Sequence, residues 1–485
     1  MIGRKLECVF LVLTAFFSVA GCGDDDPKYE PPHPPNEIGK AQSWLTMGDQ
    51  SVLLGKQNDL SIIEEQSTTL PVITVDITEV MQEIEGFGAA LTGSSAYLIN
   101  RKMNSSQRNQ LLNDLFDSEN GIGISYLRMT IGASDFSLSD YTYDDAPPGD
   151  TDYSLSQFSI AKDKEDVIPV FKLILAIAPD IKIMGSPWSP PAWMKTNDAL
   201  RGGKLKLEAY DAYANYFLKY IDAFKEEGIT IDAITVQNEP LFFTANYPCM
   251  EMTADEERAF ITQSLGPLFK GAGVETKIIL YDHNWDNTDY AISILNEASS
   301  KEFVAGSAFH AYAGNVSAMG VVHAAHPDKG LYFTEVSGGE WATNFSDNLQ
   351  WNMSNIFIGT TKNWSKNVLL WNLALDQNFG PQNSGCTNCR GVVTINASTG
   401  NVTRNVEYYS IGHFSKFIRP GAHRVGSSIS SSVPGLDYVA FVNADESRVI
   451  VLTNDNDEGK NVVVREGEGQ FSYSIPARSV ATVRW

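Results

Sequence analysis

Two glutamates that end apolar, strand-like segments are the residues of this sequence best suited to chemistry. Glu239 follows the run 231–237 within the triplet Asn-Glu-Pro, and Glu335 ends the run 331–335. A single glutamate in such a place is more often a solvated loop residue, but two of them can face each other across a bound sugar. Glycoside hydrolysis uses such a pair, and in retaining enzymes the two carboxyls lie about 5 Å apart. The placement of two glutamates at the ends of strand-like segments therefore indicates a glycosidase pair.

The two glutamates lie in a part of the chain where short apolar runs alternate with longer amphipathic segments. The strands and helices that this alternation predicts must position them. Strict alternation through eight units predicts a closed parallel (β/α)8 TIM barrel rather than an open sheet. Catalytic residues of such barrels follow the carboxyl ends of the strands, and strands four and seven lie on opposite sides of the mouth. The predicted strands are 83–90, 124–131, 181–186, 231–237, 277–281, 305–310, 331–335 and 367–372. The predicted helices are 105–116, 167–178, 207–227, 254–270, 289–298, a short one after Ser317, 348–360 and 407–417.

The C-terminal tail has a different pattern, because its apolar residues alternate in short runs separated by turn residues. This pattern predicts antiparallel strands at 437–443, 449–454, 461–465, 470–475 and 479–484. Two strand-like runs before the barrel, 51–63 and 72–80, have no helix to complete a βα unit. We therefore predict a discontinuous β-sandwich domain built from residues 41–82 and 419–485, attached to a catalytic barrel at 83–418.

The first 40 residues are predicted to direct and tether the protein rather than to fold. Arg4 and Lys5 precede an apolar run, 9–17, that is too short to span a bilayer permanently. The run ends in Val-Ala-Gly before Cys22, which resembles a bacterial lipobox; an ordinary signal peptide with an incidental cysteine is the alternative. We predict a signal peptide at 1–22, lipid on Cys22, and a flexible tether at 23–40. The expected location is the bacterial cell envelope, where the lipid provides the contact with the membrane.

Composition excludes some classes of partner. The chain has 485 residues, with 36 Lys and Arg against 59 Asp and Glu, a net charge of −23 that repels a nucleic acid backbone. A neutral ligand fits better, and 9 Trp and 19 Tyr supply flat rings of the kind that sugars pack on. Cys386 and Cys389 suit a small disulfide or loop packing better than zinc, because no second cysteine pair completes a four-ligand site. We expect no metal and no cofactor.

Several motifs together resemble glycoside hydrolase family 30, which contains glucosylceramidases and endo-β-1,6-glucanases. The resemblance covers nearly all of the mature chain and implies the fold predicted above. Beside the Asn-Glu-Pro and Thr-Glu segments, the motifs are EGFGAA at 85–90, LRMTIGASDFS at 127–137, SPWSPPAWMKTN at 186–197 and IGHFSKFI at 411–418.

The resemblance implies that Glu239 is the acid/base and Glu335 the nucleophile of a retaining pair. We expect the Glu335 charge to raise the pKa of Glu239, so that this glutamate is protonated when it must donate. The resemblance also implies that Asn238 binds the sugar 2-hydroxyl and that Arg128 keeps the nucleophile ionised. The full implied binding set is Arg128, Asp135, Trp188, Asn238, His310, Tyr312, Trp371 and Arg390.

Structural alternatives stay open for several of these residues. Arg128 and Asp135 could each belong to a structural salt bridge, and Trp188 and Trp371 could be core residues rather than sugar platforms. A lone histidine is more often structural than catalytic, so His310 is expected only to bind or to support. His283 and Trp285, after the fifth strand, are weaker candidates.

The segment GPQNSGCTNCRG at 380–391 indicates the substrate. It resembles the β-1,6-glucanase branch of the family, in which a cysteine-containing loop with an arginine, here Arg390, helps to shape the sugar site. We therefore predict a retaining endo-β-1,6-glucanase, with a glucosylceramidase or β-glucosidase of the same family as the alternative. A non-catalytic surface lipoprotein that binds glycans is the alternative from another class, although a pure binder has no need for two glutamates at the barrel mouth.

Overall fold

The computed structural model describes residues 36–485, and its largest element is a closed barrel of eight parallel strands. Strand one pairs with strand eight, so the ring has no free edge. Each observed strand overlaps its predicted segment, and the predicted TIM barrel is confirmed. The strands are Gly86–Leu91, Tyr126–Ile131, Lys182–Pro187, Ala233–Thr235, Lys277–Asn284, Val304–His310, Gly330–Glu335 and Ser365–Asn372.

The barrel strands form near-continuous apolar runs because both of their faces are buried. Tyr126–Ile131 is buried along its whole length, with one face toward the barrel axis and the other toward the helices. Alternate side chains fill the barrel interior, so it is a packed core and not a pore. This inner layer consists of Tyr126, Met184, Ala233, Ile279, Ala308, Tyr332 and Leu369.

Helices surround the barrel, and none within residues 36–485 is both long and apolar enough to cross a membrane. The predicted helices 254–270 and 348–360 are each interrupted by a π-helical segment. In the first, the interruption directly precedes Pro267, which has no N–H to donate to the preceding turn. The α-helices are Gly93–Arg101, Ser105–Phe116, Val167–Leu175, Tyr210–Glu226, Ala254–Phe260, Gly266–Ala272, Thr288–Leu295, Ala298–Lys301, Ser317–Ala325, Phe345–Trp351, Ile358–Lys362 and Val406–Ser415, and the π-helical segments are Ile261–Leu265 and Asn352–Phe357.

Both chain ends build the second domain, and the predicted β-sandwich is confirmed. Its strand pairing continues around both layers, because the first strand pairs with the last strand and also with Leu60–Glu64. A separate apolar core, which includes Ile73, Ile450 and Phe471, fills the space between the layers. The strands are Glu37–Met47, Gly55–Lys56, Leu60–Glu64, Val72–Glu83, His423–Ile429, Leu436–Val442, Arg448–Asn454, Lys460–Glu466, Gly469–Ile475 and Ser479–Arg484.

The N-terminal part of this domain differs from the sequence-based prediction in two places. The predicted tether is wrong for residues 37–40, which belong to the first strand, where Lys40 pairs with Ser61. The predicted strand 51–63 contains a turn instead, because Gln50 and Leu54 have positive φ. The predicted signal peptide, Cys22 and tether residues 23–35 lie outside the described residues.

A buried histidine joins the two domains. His413, in the helix Val406–Ser415, lies 2.9 Å through Nδ1 from Thr482 Oγ1 and 2.8 Å through Nε2 from Thr46 Oγ1, and both threonines belong to the sandwich. Burial lowers the pKa of His413 to about 3, so the ring is neutral and accepts one of these hydrogen bonds. The sandwich is thereby fixed against the helix that follows barrel strand eight.

Candidate active site

Glu239 and Glu335 face each other at the mouth of the barrel. Glu335 is the last residue of strand seven, whereas Glu239 lies four residues beyond strand four, at a φ of 44°. Its backbone N–H donates to the Asp282 carbonyl at 3.0 Å, which holds this unfavourable conformation in place. A carboxylate oxygen of each glutamate and a ring nitrogen of His310 all lie within 4.8 Å of one another. This spacing is that of a retaining pair, since inverting pairs are separated by about 6.5–9.5 Å.

Arg128 holds the nucleophile candidate and Asn238 in place. Its side chain is fully buried. One guanidinium nitrogen, Nη1, donates to Glu335, and the other, Nη2, donates to Asn238 Oδ1 and Asp282 Oδ2, each at 2.7 Å. The structural alternative that the sequence left open, a salt bridge, is therefore present for Arg128, and its partners are Asp282 and the glutamate that the resemblance makes the nucleophile.

Asp282 is a functional residue that the sequence analysis missed. It accepts hydrogen bonds from side chains of five strands or strand ends, and the positive charges of Arg128 and His310 outweigh its burial and hold its pKa far below the ordinary value. Its position at the end of strand five was the available signal, but the analysis considered only His283 and Trp285 there. The donors are Arg128, Ser186, Thr235, His310 and Thr334.

His310 connects Asp282 to the acid/base candidate. Its Nε2 lies 3.0 Å from Asp282 Oδ1 and its Nδ1 lies 3.0 Å from Glu239 Oε1. Burial opposes a charge on the ring, but Glu335, Asp282 and Glu239 together raise the pKa of His310 to about 9. The protonated ring donates through both nitrogens and has no lone pair for a cation. The hydrogen-bonded pair of His310 and Glu239 is therefore suited to hold a proton, and the protonated ring offers no ligand atom to a metal ion.

The predicted direction of the Glu239 pKa is wrong. Burial alone would raise the pKa of Glu239, but the hydrogen bond and positive charge of His310 leave it below its ordinary value. Burial raises the pKa of Glu335 despite the nearby charges of His310 and Arg128. The physical reason is the position of His310, whose Nδ1 lies 3.0 Å from Glu239 Oε1 and whose charge stabilises the ionised form of that carboxyl. Of the two glutamates, Glu335 is the one whose pKa is raised.

Three of the residues predicted to bind the sugar, Asp135, Trp188 and Trp371, line the sides of the site. Burial, followed by the charges of Glu335 and Glu239, raises the pKa of Asp135 well above its ordinary value, and its Oδ1 has no partner among the described residues. Its bond to a sugar hydroxyl stays a prediction. Trp188 and Trp371 stack on each other at 5.1 Å and are each 3% exposed, so core packing accounts for most of their surface. Their contact with sugar stays a prediction.

Two tyrosines complete the site. The Tyr312 hydroxyl donates to Glu335 Oε1 at 3.0 Å. Tyr247, which that analysis missed, packs near Trp188 and Trp371, and burial together with the charges of Asp135, Glu239 and Glu335 raises its pKa. It comes from an irregular loop after Glu239, where no periodic pattern marks it.

The 380–391 loop forms one wall of the site. Cys386 and Cys389 form a disulfide with an S–S distance of 2.09 Å, and strand Cys389–Arg390 pairs with Gly338–Gly339, just beyond the nucleophile candidate. The Arg390 guanidinium donates to Glu407 at 2.9 Å. Its predicted role in binding substrate stays a prediction, since this ion pair already uses much of its donor capacity.

Asp282→Asn is expected to move the alkaline limb of the pH profile of kcat/KM on polymer to lower pH by about 1 to 3 units. The reason is that loss of the Asp282 charge lowers the pKa of His310 from its value of about 9. The hydrogen-bonded pair of His310 and Glu239 then loses its proton at a lower pH. Initial rates between pH 5 and 10 measure the limb. Asp163→Asn, which removes a buried carboxylate bonded to Tyr141 and Tyr143 outside the site, is the control for stability. An unmoved limb would contradict this role of Asp282.

Comparisons with known proteins agree with this geometry. The family described as Glycosyl hydrolase family 30 TIM-barrel domain matches residues 84–418, and the family 30 beta sandwich domain matches residues 421–483. An endo-1,6-beta-D-glucanase from Neurospora crassa is 37% identical over 419 residues, which cover 83% of this chain and 85% of that protein. The lysosomal acid glucosylceramidase of Mus musculus is 29% identical over 90% of this chain and 88% of its own length. A solved endo-β-1,6-glucanase is similar with a TM-score of 0.86 and 36% identity, over 92% of this chain and 99% of that one.

Proposed function

Because this chain belongs to glycoside hydrolase family 30, we propose that it is a retaining endo-β-1,6-glucanase. The observation that carries the proposal is the placement of Glu239 and Glu335, with carboxylate oxygens within 4.8 Å of each other at the barrel mouth. A glycan-binding protein without activity would have no use for this arrangement, nor for the buried network that holds it.

The residues divide the reaction between them. Glu335, oriented by Arg128 and Tyr312, attacks the anomeric carbon while Glu239 donates a proton to the leaving glycosidic oxygen. A glucosyl ester of Glu335 forms, and the leaving sugar departs with its new hydroxyl. Glu239, now a carboxylate, takes a proton from water, whose oxygen attacks the anomeric carbon and releases Glu335. Two inversions at one carbon give retention of configuration.

His310 and Asn238 assist in different steps. In the free enzyme His310 holds the proton and passes it to Glu239 as the leaving group is protonated; after the water step Glu239 returns one proton to His310, and Asp282 keeps the ring oriented for that exchange. Asn238, whose Oδ1 accepts from Arg128, has its amide nitrogen available for the sugar 2-hydroxyl, a contact that strengthens in the transition state.

Three features support β-1,6-glucan as the substrate, and the first of them favours it over glucosylceramide. Two relatives, one fungal and one of solved structure, are named for β-1,6-glucanase activity and are more similar in sequence than the glucosylceramidase from mouse. The loop 380–391 forms a wall of the site through its pairing with Gly338–Gly339. The net charge of −23 suits a neutral polysaccharide.

A comparison of four substrates tests this proposal. We expect kcat/KM to be highest for linear β-1,6-glucan when glucosylceramide, glucuronoxylan and β-1,3-glucan are assayed with the same preparation. A higher value on glucosylceramide would replace the proposed substrate with the ceramide-linked one while leaving both glutamates in their roles.

We also propose that the protein is a lipoprotein of the bacterial cell envelope, with lipid on Cys22. The sequence Val-Ala-Gly-Cys at 19–22, after a short apolar run, supports the proposal. Cys22→Ser is expected to release the enzyme from the membrane fraction with its specific activity unchanged. If the variant stayed in the membrane fraction to the same extent as the unaltered protein, that result would contradict lipid attachment.

A further inference from the structure

A cavity of about 500 Å³ lies next to the nucleophile candidate, and the chemistry described above does not use it. The loop after strand seven, which includes Val336–Gly338, forms one side, and the helix Phe345–Trp351 forms another. Tyr312, whose hydroxyl bonds to Glu335, is part of its wall, so the cavity is continuous with the catalytic site. Its volume is in the range of pockets that hold small ligands, about 300–1,000 Å³.

The cavity presents large aromatic rings to solvent. Tyr312 is 46% exposed, Trp341 57% and Trp351 44%. A folded protein does not need three such rings at one rim for its own packing, and grouped exposed aromatic rings mark binding surfaces. An indole offers a flat apolar face of the kind that packs against the C–H face of a pyranose ring.

Polar groups in the same cavity match the hydroxyls of a sugar. The amide nitrogen of Asn348 donates to the carbonyls of Ala342 and Asn344, which are the hydrogen bonds of that side chain within residues 36–485. Its amide oxygen is therefore left to accept from a ligand. The carboxylates of Asp347 and Glu407 also line the cavity and disfavour an anionic ligand.

The walls of the cavity are built before any ligand arrives. Arg478, in the sandwich, forms an ion pair with Asp347 and so fixes the helix that carries Trp351. The Trp341 ring packs over Gly339 so closely that a Cβ there would lie 2.1 Å from it. A preformed site avoids the entropic cost of ordering its side chains on binding.

The position of the cavity indicates which part of a glucan it would take. Asp135 and Trp188 follow strands two and three, Trp371 lies near the end of strand eight, and all three are predicted to bind the sugar that is attacked. Tyr312 and Trp341 follow strands six and seven, beyond Glu335, and they are exposed. A chain that continues past the cleaved bond is therefore expected to run over Tyr312 into the cavity.

We propose that this cavity is a glucan subsite on the leaving-group side, where glucosyl units beyond the cleaved linkage stack on Trp341 and Trp351. The proposal rests on the proposed function, because the occupant is a further part of the same neutral β-linked chain. Longer substrates gain binding energy there that an aryl glucoside cannot use.

The test compares chain lengths in variants of the full-length protein. For Trp341→Ala and Trp351→Ala we expect kcat/KM on a β-1,6-linked glucohexaose to fall by about 10-fold each, while the value on an aryl β-glucoside stays within about 2-fold. Trp341→Phe keeps a flat ring and should retain most of the activity on hexaose. Val321→Ala, which shortens an exposed apolar side chain on the helix Ser317–Ala325, is the control.

Two outcomes would overturn the subsite. An equal fall on hexaose and aryl glucoside would show that the tryptophans only support the fold of the site, and no fall on either would show that no sugar binds there. Failure of the proposed function has a separate signature, since unaltered enzyme would then prefer another β-glucan. The ratio of kcat/KM on a long oligosaccharide to kcat/KM on an aryl glucoside, measured with the preferred β-glucan series, would still test whether the cavity is a subsite.

Discussion

Glu335→Gln is expected to lower kcat on every substrate by about 10⁴-fold or more, because the amide cannot form the glucosyl ester. Oligosaccharide binding should persist, since the glutamine amide keeps the size of the side chain beside Arg128 and Tyr312. Steady-state kinetics give the loss of turnover, and calorimetry with a β-1,6-linked oligosaccharide gives the affinity.

The control for this variant is a glutamate outside the site. Glu227→Gln makes the same chemical change where the helix Tyr210–Glu226 ends, in an ion pair with Lys164 and Lys172. It should keep full kcat. Turnover within about 10-fold of the unaltered enzyme in Glu335→Gln would remove this residue from the nucleophile role, because loss of a nucleophile costs several orders of magnitude.

Glu239→Ala is expected to lose about 10³-fold in kcat/KM on polymer, within the range for a general acid. An aryl glucoside with an activated leaving group does not need protonation, so its glycosylation step should fall far less. Azide should restore turnover by taking the place of the activated water and giving a glucosyl azide. Rates on both substrates, with and without azide, measure these effects.

Glu251→Ala is the matched control for the acid/base variant. This glutamate lies further along the same loop, half-exposed, in an ion pair with Lys204. It should behave as the unaltered enzyme on both substrates. An equal loss on polymer and aryl glucoside in Glu239→Ala, without rescue by azide, would contradict the assignment.

The barrel and its two glutamates were predictable because the relevant signals are local. Each strand is a short apolar run, each helix has a 3.6-residue period, and a glutamate at the end of a strand such as Leu331–Glu335 points to the mouth of the barrel. The retaining pair requires only that strands four and seven lie across that mouth, which the order of elements determines.

The network around Asp282 could not be predicted in the same way. Its hydrogen-bond donors come from residues as far apart in the chain as Arg128 and Thr334, and no single segment marks them as partners. The pKa of Glu239 depends on the approach of His310 within 3.0 Å, so its direction followed from the fold and not from the spacing of the two glutamates.

The first sandwich strand was missed for a related reason. Glu37–Met47 begins with residues that are mostly exposed, and only Ala41, Ser43, Leu45 and Thr46 are buried within it. Its pairing with Ser479–Arg484 joins the two ends of the chain, which a local pattern does not reveal. The cavity beside Trp341 likewise depends on an ion pair between Asp347 and the distant Arg478.

The anomeric form of the first product tests the central claim most directly. Proton NMR during hydrolysis of a linear β-1,6-glucan distinguishes the β-anomer from the α-anomer before mutarotation mixes them. Retention by the Glu239 and Glu335 pair predicts that the β-anomeric signal of the new reducing end appears first and that the α signal follows later. Initial formation of the α-anomer, or no new reducing end from this glucan, would contradict the account.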